Sequence, residues 1–330
     1  MGQTGGSFRL PPLVHNNDGN PRRVGFELEF SGISLDAAVA ALQGTLGGRV
    51  LSRTPAEVLF QSDALGMFHV ELDWAFLKMQ AARSTVQGKQ GDEWLDLLSQ
   101  AAALFVPVEV VCPPIPLTEL AALDPLLDAL RDAGAVGTDE SLLSAYGVHI
   151  NVEAPHLDAP TLFAYLRAFS LLQWWLVEAH DVDITRRVSP YVDLYPEAYL
   201  KRLFTRSAAD MDDIFEDYLE HNPSRNRALD MLPLLAQIDD GRVRAAVGDM
   251  KVTARPAFHY RLPDCHIDHP GWDLSGTWNT WCVVERLAVR EDYLRTLSRA
   301  FLDADRPILG VSRSDWVEFI DTWLKDRALA

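Results

Sequence analysis

The sequence predicts an α+β fold built on a mainly antiparallel sheet that has one covered and one open face. Four short segments alternate between apolar and polar residues, a fifth at 106–111 carries one acid on an otherwise apolar ladder, and helical segments lie between them. None of the five is a continuous apolar run. Strict alternation is typical of antiparallel strands that pack on one face, whereas the strands of a doubly wound parallel sheet are apolar on both faces.

Composition limits the classes of function. The chain has 330 residues, 48% hydrophobic and 23% charged, as in an ordinary globular protein. Its formal net charge of -17 argues against a nucleic-acid partner, because phosphate binding requires clustered Lys and Arg. Three cysteines without CxxC spacing argue against a disulfide framework or a zinc–thiolate site.

No apolar run reaches the roughly 18 residues of a spanning helix. No signal peptide is apparent, so we expect a cytoplasmic protein that does not bind membranes.

The elements follow from periodicity and from start and stop residues. Residues 1–20 are rich in Gly, Asn and Pro and are expected to form a flexible arm, while 21–330 are expected to form a single domain with a helical C-terminal part. Strands are predicted at 23–31, 49–51, 56–61, 68–73, 106–111, 146–153 and 256–262. Helices are predicted at 34–46, 90–105, 118–133 and 160–180, as one or two helices within 196–219, and at about 279–304 and 313–326.

The polar faces of five strands carry chemically active groups. Glu27 and Glu29 lie on one face of the first strand, since the side-chain period of a strand is two. The later strands present Glu71 and Asp73; Glu109; His149, Asn151 and Glu153; and His259 and Arg261. For any one of these strands taken alone, a solvated face is the favoured explanation, because such faces are common in antiparallel sheets. If the faces coincide, the clustered carboxylates need cations, and an oxygen-rich site suits Mg²⁺ or Mn²⁺.

The order of these segments resembles the amidoligase family. The segments are GFELEF at 25–30, VELD at 70–73, VEVVCPP at 108–114, YGVHIN at 146–151 and RPAFHYR at 255–261. The resemblance runs from about 22 to 290. It places the chain in the carboxylate–amine ligase superfamily of glutamine synthetase and glutamate–cysteine ligase. It implies a curved sheet whose concave face holds ATP and Mg²⁺ (or Mn²⁺), with helices on the other face, and residues 21–330 as one ligase-like catalytic domain.

The resemblance also implies roles for individual residues. The implied metal ligands are Glu27, Glu29, Asp73, Glu109, His149 and His259. The implied ATP or acyl-phosphate contacts are Arg225, Arg227, Arg255 and Arg261, and the implied catalytic residues are Arg255, Arg261 and Glu109. The sequence departs from the wider superfamily at His259, which stands where that superfamily has Glu. An imidazole can bind a metal, but it removes one negative charge.

The implied reaction joins a carboxylate to an amine on amino-acid or peptide-like substrates. ATP first phosphorylates the carboxylate, and the amine then attacks the acyl phosphate. An amidotransferase partner is left open. Two other hypotheses remain: a hydrolase that uses the same metals without ATP, and a non-catalytic binding protein on a degenerate ligase fold, for which His259 is the best hint. The chain contains no P-loop, no nucleophile-elbow motif and no HExxH motif.

Overall fold

The strands form one antiparallel sheet. The computed structural model describes residues 6–72, 107–138, 146–187, 192–248, 250 and 252–330. The strands in these ranges are β1 (Arg23–Phe30), β2 (Arg49–Arg53), β3 (Glu57–Ser62), β4 (Gly66–Leu72), β5 (Val108–Val111), β6 (Ile115–Pro116), β7 (Val148–Glu153), β8 (Leu229–Asp230) and β9 (Ala257–Tyr260). Their order is β2-β3-β4-β5-β1-β7-β9-β8, and the short β6 pairs with β1. Every pairing is antiparallel, as the alternation predicted.

Helices account for most of the remaining described chain. They are α1 (Leu35–Leu46), α2 (Asp124–Asp132), α3 (Ala159–Ala179), α4 (Ile184–Arg187), α5 (Glu197–Thr205), α6 (Met211–His221), α7 (Leu232–Val247), α8 (Leu274–Ala288), α9 (Glu291–Ala304) and α10 (Arg313–Lys325). The start of α1 is confirmed, because the Ser34 side chain accepts a hydrogen bond from the Ala37 amide. The helix predicted at 90–105 lies outside the described residues. Within the described ranges, no helix is long and apolar enough to cross a membrane.

The helix predicted at 118–133 is wrong at its N-terminal end. The chain forms a 3₁₀ turn over Leu120–Leu123, and the α-helix starts only at Asp124. Pro125 explains the difference. It has no N–H to donate to the carbonyl four residues earlier, and its ring would clash with that carbonyl inside a helix. Proline is accepted in the first turn, where the N–H has no intrahelical partner.

One face of the sheet is buried against helices. It carries the even-numbered residues of the long strands, such as Phe26 and Leu28 of β1, which are at most 1% exposed. Tyr165 of α3 stacks on Phe258 of β9 with ring centroids 4.6 Å apart. Each such large side chain contributes roughly 1.5–3 kcal/mol when it is fully buried. The strong apolar burial fixes the register, so the odd-numbered side chains must occupy the other face.

A buried ion pair joins the start of β1 to α8. Arg22 donates from both terminal nitrogens to the carboxylate of Glu285, at 2.8 and 3.0 Å. The same carboxylate accepts hydrogen bonds from Tyr165 of α3 and from Trp281. Arg22 and Glu285 are both fully buried. A buried charge without a partner would strongly destabilise the fold, so each polar group of this network needs its hydrogen-bond partner.

Residues 6–20, which we expected to belong to a flexible arm, lie against α8 and β7. The Arg9 amide donates to Asn279, and Trp278 donates to the Arg9 carbonyl at 2.7 Å. Further along, the Asn16 side chain donates to Glu153 at 2.8 Å. Glu153, the last residue of β7, therefore binds the N-terminal segment.

Candidate active site

Four carboxylates form a row across the open face. The register places Glu57 of β3 opposite Glu71 of β4, Glu71 opposite Glu109 of β5, and Glu109 opposite Glu29 of β1. Directly opposed residues in an antiparallel pair have Cβ atoms about 4.5–5.5 Å apart. All four residues are partly buried. Acids in such a row repel one another, so the row favours the binding of a cation.

Glu27 is the residue on which the polar contacts of the open face converge. Its Oε2 atom lies 2.8 Å from Nδ1 of His149, and its Oε1 atom accepts a 2.7 Å hydrogen bond from Asn151. Nε2 of His259 lies 3.7 Å from Oε2. Burial alone would raise the pKa of Glu27, but the contacts with His149 and His259 hold that pKa well below its usual range. The carboxylate is therefore ionised at neutral pH.

His149 lies between two carboxylates. Its Nδ1 atom contacts Glu27, and its Nε2 atom lies 3.5 Å from Oε1 of Glu29. The other oxygen of Glu29 accepts a 2.7 Å hydrogen bond from the amide of Gly147. Burial lowers the pKa of His149, and the charge of Glu29 offsets this only in part. The neutral imidazole that results is the form that binds metals.

His259 is a second buried imidazole beside the first. The two rings are edge-on, with centroids 5.3 Å apart. Nδ1 of His259 faces Asp230 of β8 at 3.5 Å. The Nε2 atom of His259 is buried and has no hydrogen-bond partner among the described residues.

Sequence analysis missed Asp230, although it lies directly opposite His259 in the sheet and is fully buried. The strand that carries it has two residues, which is too short for any alternation to show. The only available signal was an acid between a donor-rich turn and the apolar start of α7.

Two groups of side chains have the donor atoms and spacing to hold a metal ion. One group is Glu27, His149 and His259, and the other is Glu29, Glu109 and His149. Within each group the donor atoms lie within 4.8 Å of one another. Ligands on opposite sides of a Mg²⁺ ion are about 4.2 Å apart, so small side-chain movements would suffice. The unpartnered Nε2 atom of His259 also fits a ligand role. Asp73, expected to be a further ligand, lies outside the described residues.

Three of the four predicted arginines lie on the β8–β9 side of this cluster. Arg255 donates to Oδ1 of Asn151 at 2.7 Å, and Asn151 donates in turn to Glu27. Arg261 donates to the carbonyl of Arg225 at 3.3 Å. The Nε atoms of Arg255 and Arg261 are buried and have no hydrogen-bond partner in the described part of the chain. These unused donors suit an anionic ligand, since guanidinium groups bind phosphate in a fixed geometry.

Arg227 lies apart from the cluster. Its guanidinium donates to the carbonyls of Leu194 and His221, at 2.9 and 3.0 Å. It lines a cavity of about 990 Å³ that is bordered by α3, α10 and the segment at 192–197. The backbone bridge between Arg227 and Asp193 holds it there.

The fold and the site together define a mixed α/β protein with a carboxylate–imidazole–guanidinium cluster on the open face of an antiparallel sheet. The family model described as "Putative amidoligase enzyme" matches residues 20–283, which is well over half of the chain and includes every strand named above. The chain belongs to this amidoligase family. A comparison with curated proteins finds no match.

Proposed function

We propose that this protein is an ATP- and Mg²⁺-dependent carboxylate–amine ligase that acts on an amino-acid or peptide-like substrate. Family membership supports an amide-bond ligase. The single observation that supports the finer proposal is the meeting of Glu27, Glu29, Glu109, His149 and Arg255 on one open sheet face. The antiparallel sheet with helices on one face is also compatible with a glutamine synthetase-like catalytic domain.

The acidic side of the cluster is suited to the cations that accompany ATP. Bound divalent ions would offset the charge of the ATP phosphates and of the phosphoryl group in transfer. Glu27 and Glu29 would hold them as ionised carboxylates, and His149 would do so as a neutral imidazole. Asn151 keeps Glu27 in place, because its amide donates to the carboxylate at 2.7 Å.

The basic side of the cluster is suited to the group that is transferred. A carboxylate oxygen of the substrate attacks the γ-phosphorus of ATP, and ADP leaves. The amine then attacks the carbonyl carbon, phosphate leaves and the amine gives up a proton. The Nε atoms of Arg255 and Arg261 have no hydrogen-bond partner in the described part of the chain. These two arginines would stabilise the phosphoryl oxygens in both steps. Glu109, on the strand beside Glu29, would accept the proton.

No protein nucleophile is required for this chemistry, and the nearby thiols are unsuited to act as one. Cys112 and Cys265 are buried free cysteines. Burial raises the pKa of both thiols above the ordinary value, and negative charges near them act in the same direction. Both therefore remain protonated at neutral pH. This supports a direct transfer between substrates.

ADP release, measured with ATP, Mg²⁺ and a matrix of amino acids and amines, tests the proposal. We expect ADP release over many turnovers only when a carboxylate and an amine are both present, because the amine consumes the acyl phosphate, and we expect an amide product in equal amount. Glu27→Gln is expected to reduce the rate by about a hundredfold or more, since it removes charge stabilisation at the phosphoryl group. Glu216→Gln is the control, because Glu216 is an exposed carboxylate on helix α6 and does not lie on the sheet. Cleavage of amides or phosphoesters without nucleotide would contradict the proposal.

A further inference from the structure

Asp230 and His259 form a buried pair next to Glu27. They face each other across β8 and β9, and His259 is only 2% exposed. The orientation of the Asp230 carboxylate is fixed, because its Oδ1 atom accepts a 3.0 Å hydrogen bond from the Leu232 amide. Its Oδ2 atom then faces Nδ1 of His259 at 3.5 Å and, at the longer distance of 4.0 Å, Nε of Arg225.

This contact selects one form of the imidazole. A carboxylate oxygen accepts hydrogen bonds, so the tautomer that suits this contact is the one with the proton on Nδ1 of His259. In the neutral ring the lone pair then lies on Nε2. That atom is buried, has no hydrogen-bond partner in the described structure, and lies 3.7 Å from Oε2 of Glu27.

The distance between Nε2 of His259 and Oε2 of Glu27 does not fit a simple ion pair. A charged hydrogen bond between an imidazolium and a carboxylate is about 2.7–2.9 Å long. The 3.7 Å between His259 and Glu27 is too long for that, but it is a normal separation for two ligands of one ion. Metal-binding histidines commonly donate their other ring N–H to a carboxylate, which fixes the ring and makes it a stronger ligand.

We propose that Asp230 is a positioning residue that presents Nε2 of His259 to a divalent cation, and that Glu27, His149 and His259 form a subsite that prefers Mn²⁺ to Mg²⁺. The inference rests on the use of metals in the proposed function, but not on ATP. Two of the three ligands are nitrogen atoms. Imidazole suits first-row transition metals, whereas Mg²⁺ prefers oxygen ligands and keeps much of its water.

The neighbouring group provides an internal comparison. Glu29, Glu109 and His149 offer two carboxylates and one imidazole, so this second set is richer in oxygen. We therefore expect it to take Mg²⁺ more readily than the first set does. His149 belongs to both sets, and a neutral imidazole has a single lone pair, so it can bind an ion in only one set at a time.

Metal binding to the full chain without nucleotide tests the inference. Free Mn²⁺ is followed by electron paramagnetic resonance while Mg²⁺ competes, and electron spin echo modulation detects nitrogen bound to Mn²⁺. We expect one Mn²⁺ to bind about tenfold or more tightly than Mg²⁺, with ¹⁴N modulation from imidazole. A Mn²⁺ affinity no higher than that for Mg²⁺, or the absence of ¹⁴N modulation, would overturn it.

Variants separate a positioning role from a structural one. Asp230→Ala is expected to weaken Mn²⁺ binding by about 10–100-fold. His259→Glu is expected to shift the preference toward Mg²⁺, which a merely structural residue would not do. Asp217→Asn is the matched control, because Asp217 is also a buried carboxylate but is held by Arg202 and Arg206 on α5 and the segment after it. It should leave both affinities unchanged.

The state of His259 in the wild-type protein gives a readout that needs no variant. ¹⁵N chemical shifts of the histidine rings are expected to show the Nδ1–H tautomer at His259 without metal, and a shift of Nε2 on addition of a diamagnetic ion such as Zn²⁺. An Nε2–H tautomer would contradict the role of Asp230. These results do not depend on ADP formation. If the ligase assay fails while the protein still prefers Mn²⁺ to Mg²⁺, the ligase proposal is refuted and the metal-site inference is not.

Discussion

Nδ1 of His149 lies 2.8 Å from Oε2 of Glu27, across two neighbouring strands that carry both residues on the open face of the sheet. The other oxygen of Glu27 is held by Asn151, which also accepts a hydrogen bond from Arg255. The amide of Asn151 therefore links the carboxylate of Glu27 to the guanidinium of Arg255, while the imidazole of His149 contacts that carboxylate directly. Hydrogen bonds among the protein groups themselves hold the cluster in this arrangement, which is the kind of positioning that electrostatic catalysis requires.

The amide of Asn151 can be removed to test this link. Asn151→Leu takes away the donor to Glu27 and the acceptor for Arg255, so both groups lose their fixed orientation. We expect the affinity for Mg²⁺–ATP to fall about tenfold, the equivalent of one good hydrogen bond. Calorimetric titration measures this. An unchanged affinity would mean that Asn151 does not organise the cluster.

The buried pair of Arg22 and Glu285 should behave as a unit. Arg22→Met leaves the Glu285 carboxylate buried without its cation, which is expected to cost about 3–5 kcal/mol of unfolding free energy. Adding Glu285→Leu removes the unpaired charge, so the double variant should lose less stability than the sum of the two single variants. Urea denaturation of the three variants gives the interaction energy. Strictly additive losses would refute the coupling.

Gly147 lies against the side chain of Arg186. A Cβ atom at this position would come 2.8 Å from Nη1 of Arg186, which pairs with the buried Asp264 at 3.1 Å. Gly147→Ala is therefore expected to destabilise the protein by about 1–3 kcal/mol. Gly44→Ala is the control, because its Cβ would meet nothing within 4 Å in helix α1. That change should stabilise the protein by about 0.5–1 kcal/mol. Equal effects in thermal unfolding would contradict the account.

The buried imidazole of His180 makes the free energy of unfolding depend on pH. Burial, together with the charge of Arg186, lowers the pKa of His180 to about 3. An unfolded histidine has a pKa near 6.5, so between these values the unfolded state binds a proton that the folded state does not. Stability therefore falls as pH drops through this window, by about 2 kcal/mol between pH 7 and pH 5.

His180→Gln removes that contribution. The variant should lose about 2 kcal/mol less stability than the wild type between pH 7 and pH 5, as measured by urea denaturation. Parallel pH profiles for the two proteins would contradict this, because they would show that the pKa of His180 is the same in the folded and unfolded states. Arg187→Gln, a neighbouring change that leaves the imidazole intact, should keep the wild-type slope.

The sequence allowed the open face to be predicted because a strand has a period of two. Once Phe26 and Leu28 are placed in the core, Glu27 and Glu29 have to lie on the other face. The same reasoning applies to Glu109, His149 and His259. It could not show which strands are neighbours, and the pairing of Glu29 with Glu109 comes only from the structure.

Other features left no periodic signal. Asp230 lies on a strand of two residues, so neither its burial nor its approach to His259 could be inferred. Hydrogen bonds to the carbonyls of Leu194 and His221 hold the Arg227 side chain away from the cluster. The sequence around Arg227 does not predict these contacts. The start of α2 was predictable in principle, since Pro125 interrupts the apparent helix.

Calorimetric titration of the full chain with ATP in the presence of Mg²⁺ tests the central claim most directly. The account predicts saturable binding that disappears without a divalent cation. It also predicts that a variant carrying both Glu27→Gln and Glu29→Gln loses at least about 100-fold in affinity, whereas Glu216→Gln on helix α6 binds as the wild type does. No ATP binding with either Mg²⁺ or Mn²⁺, or equal binding by all three proteins, would contradict an ATP-dependent ligase at this site.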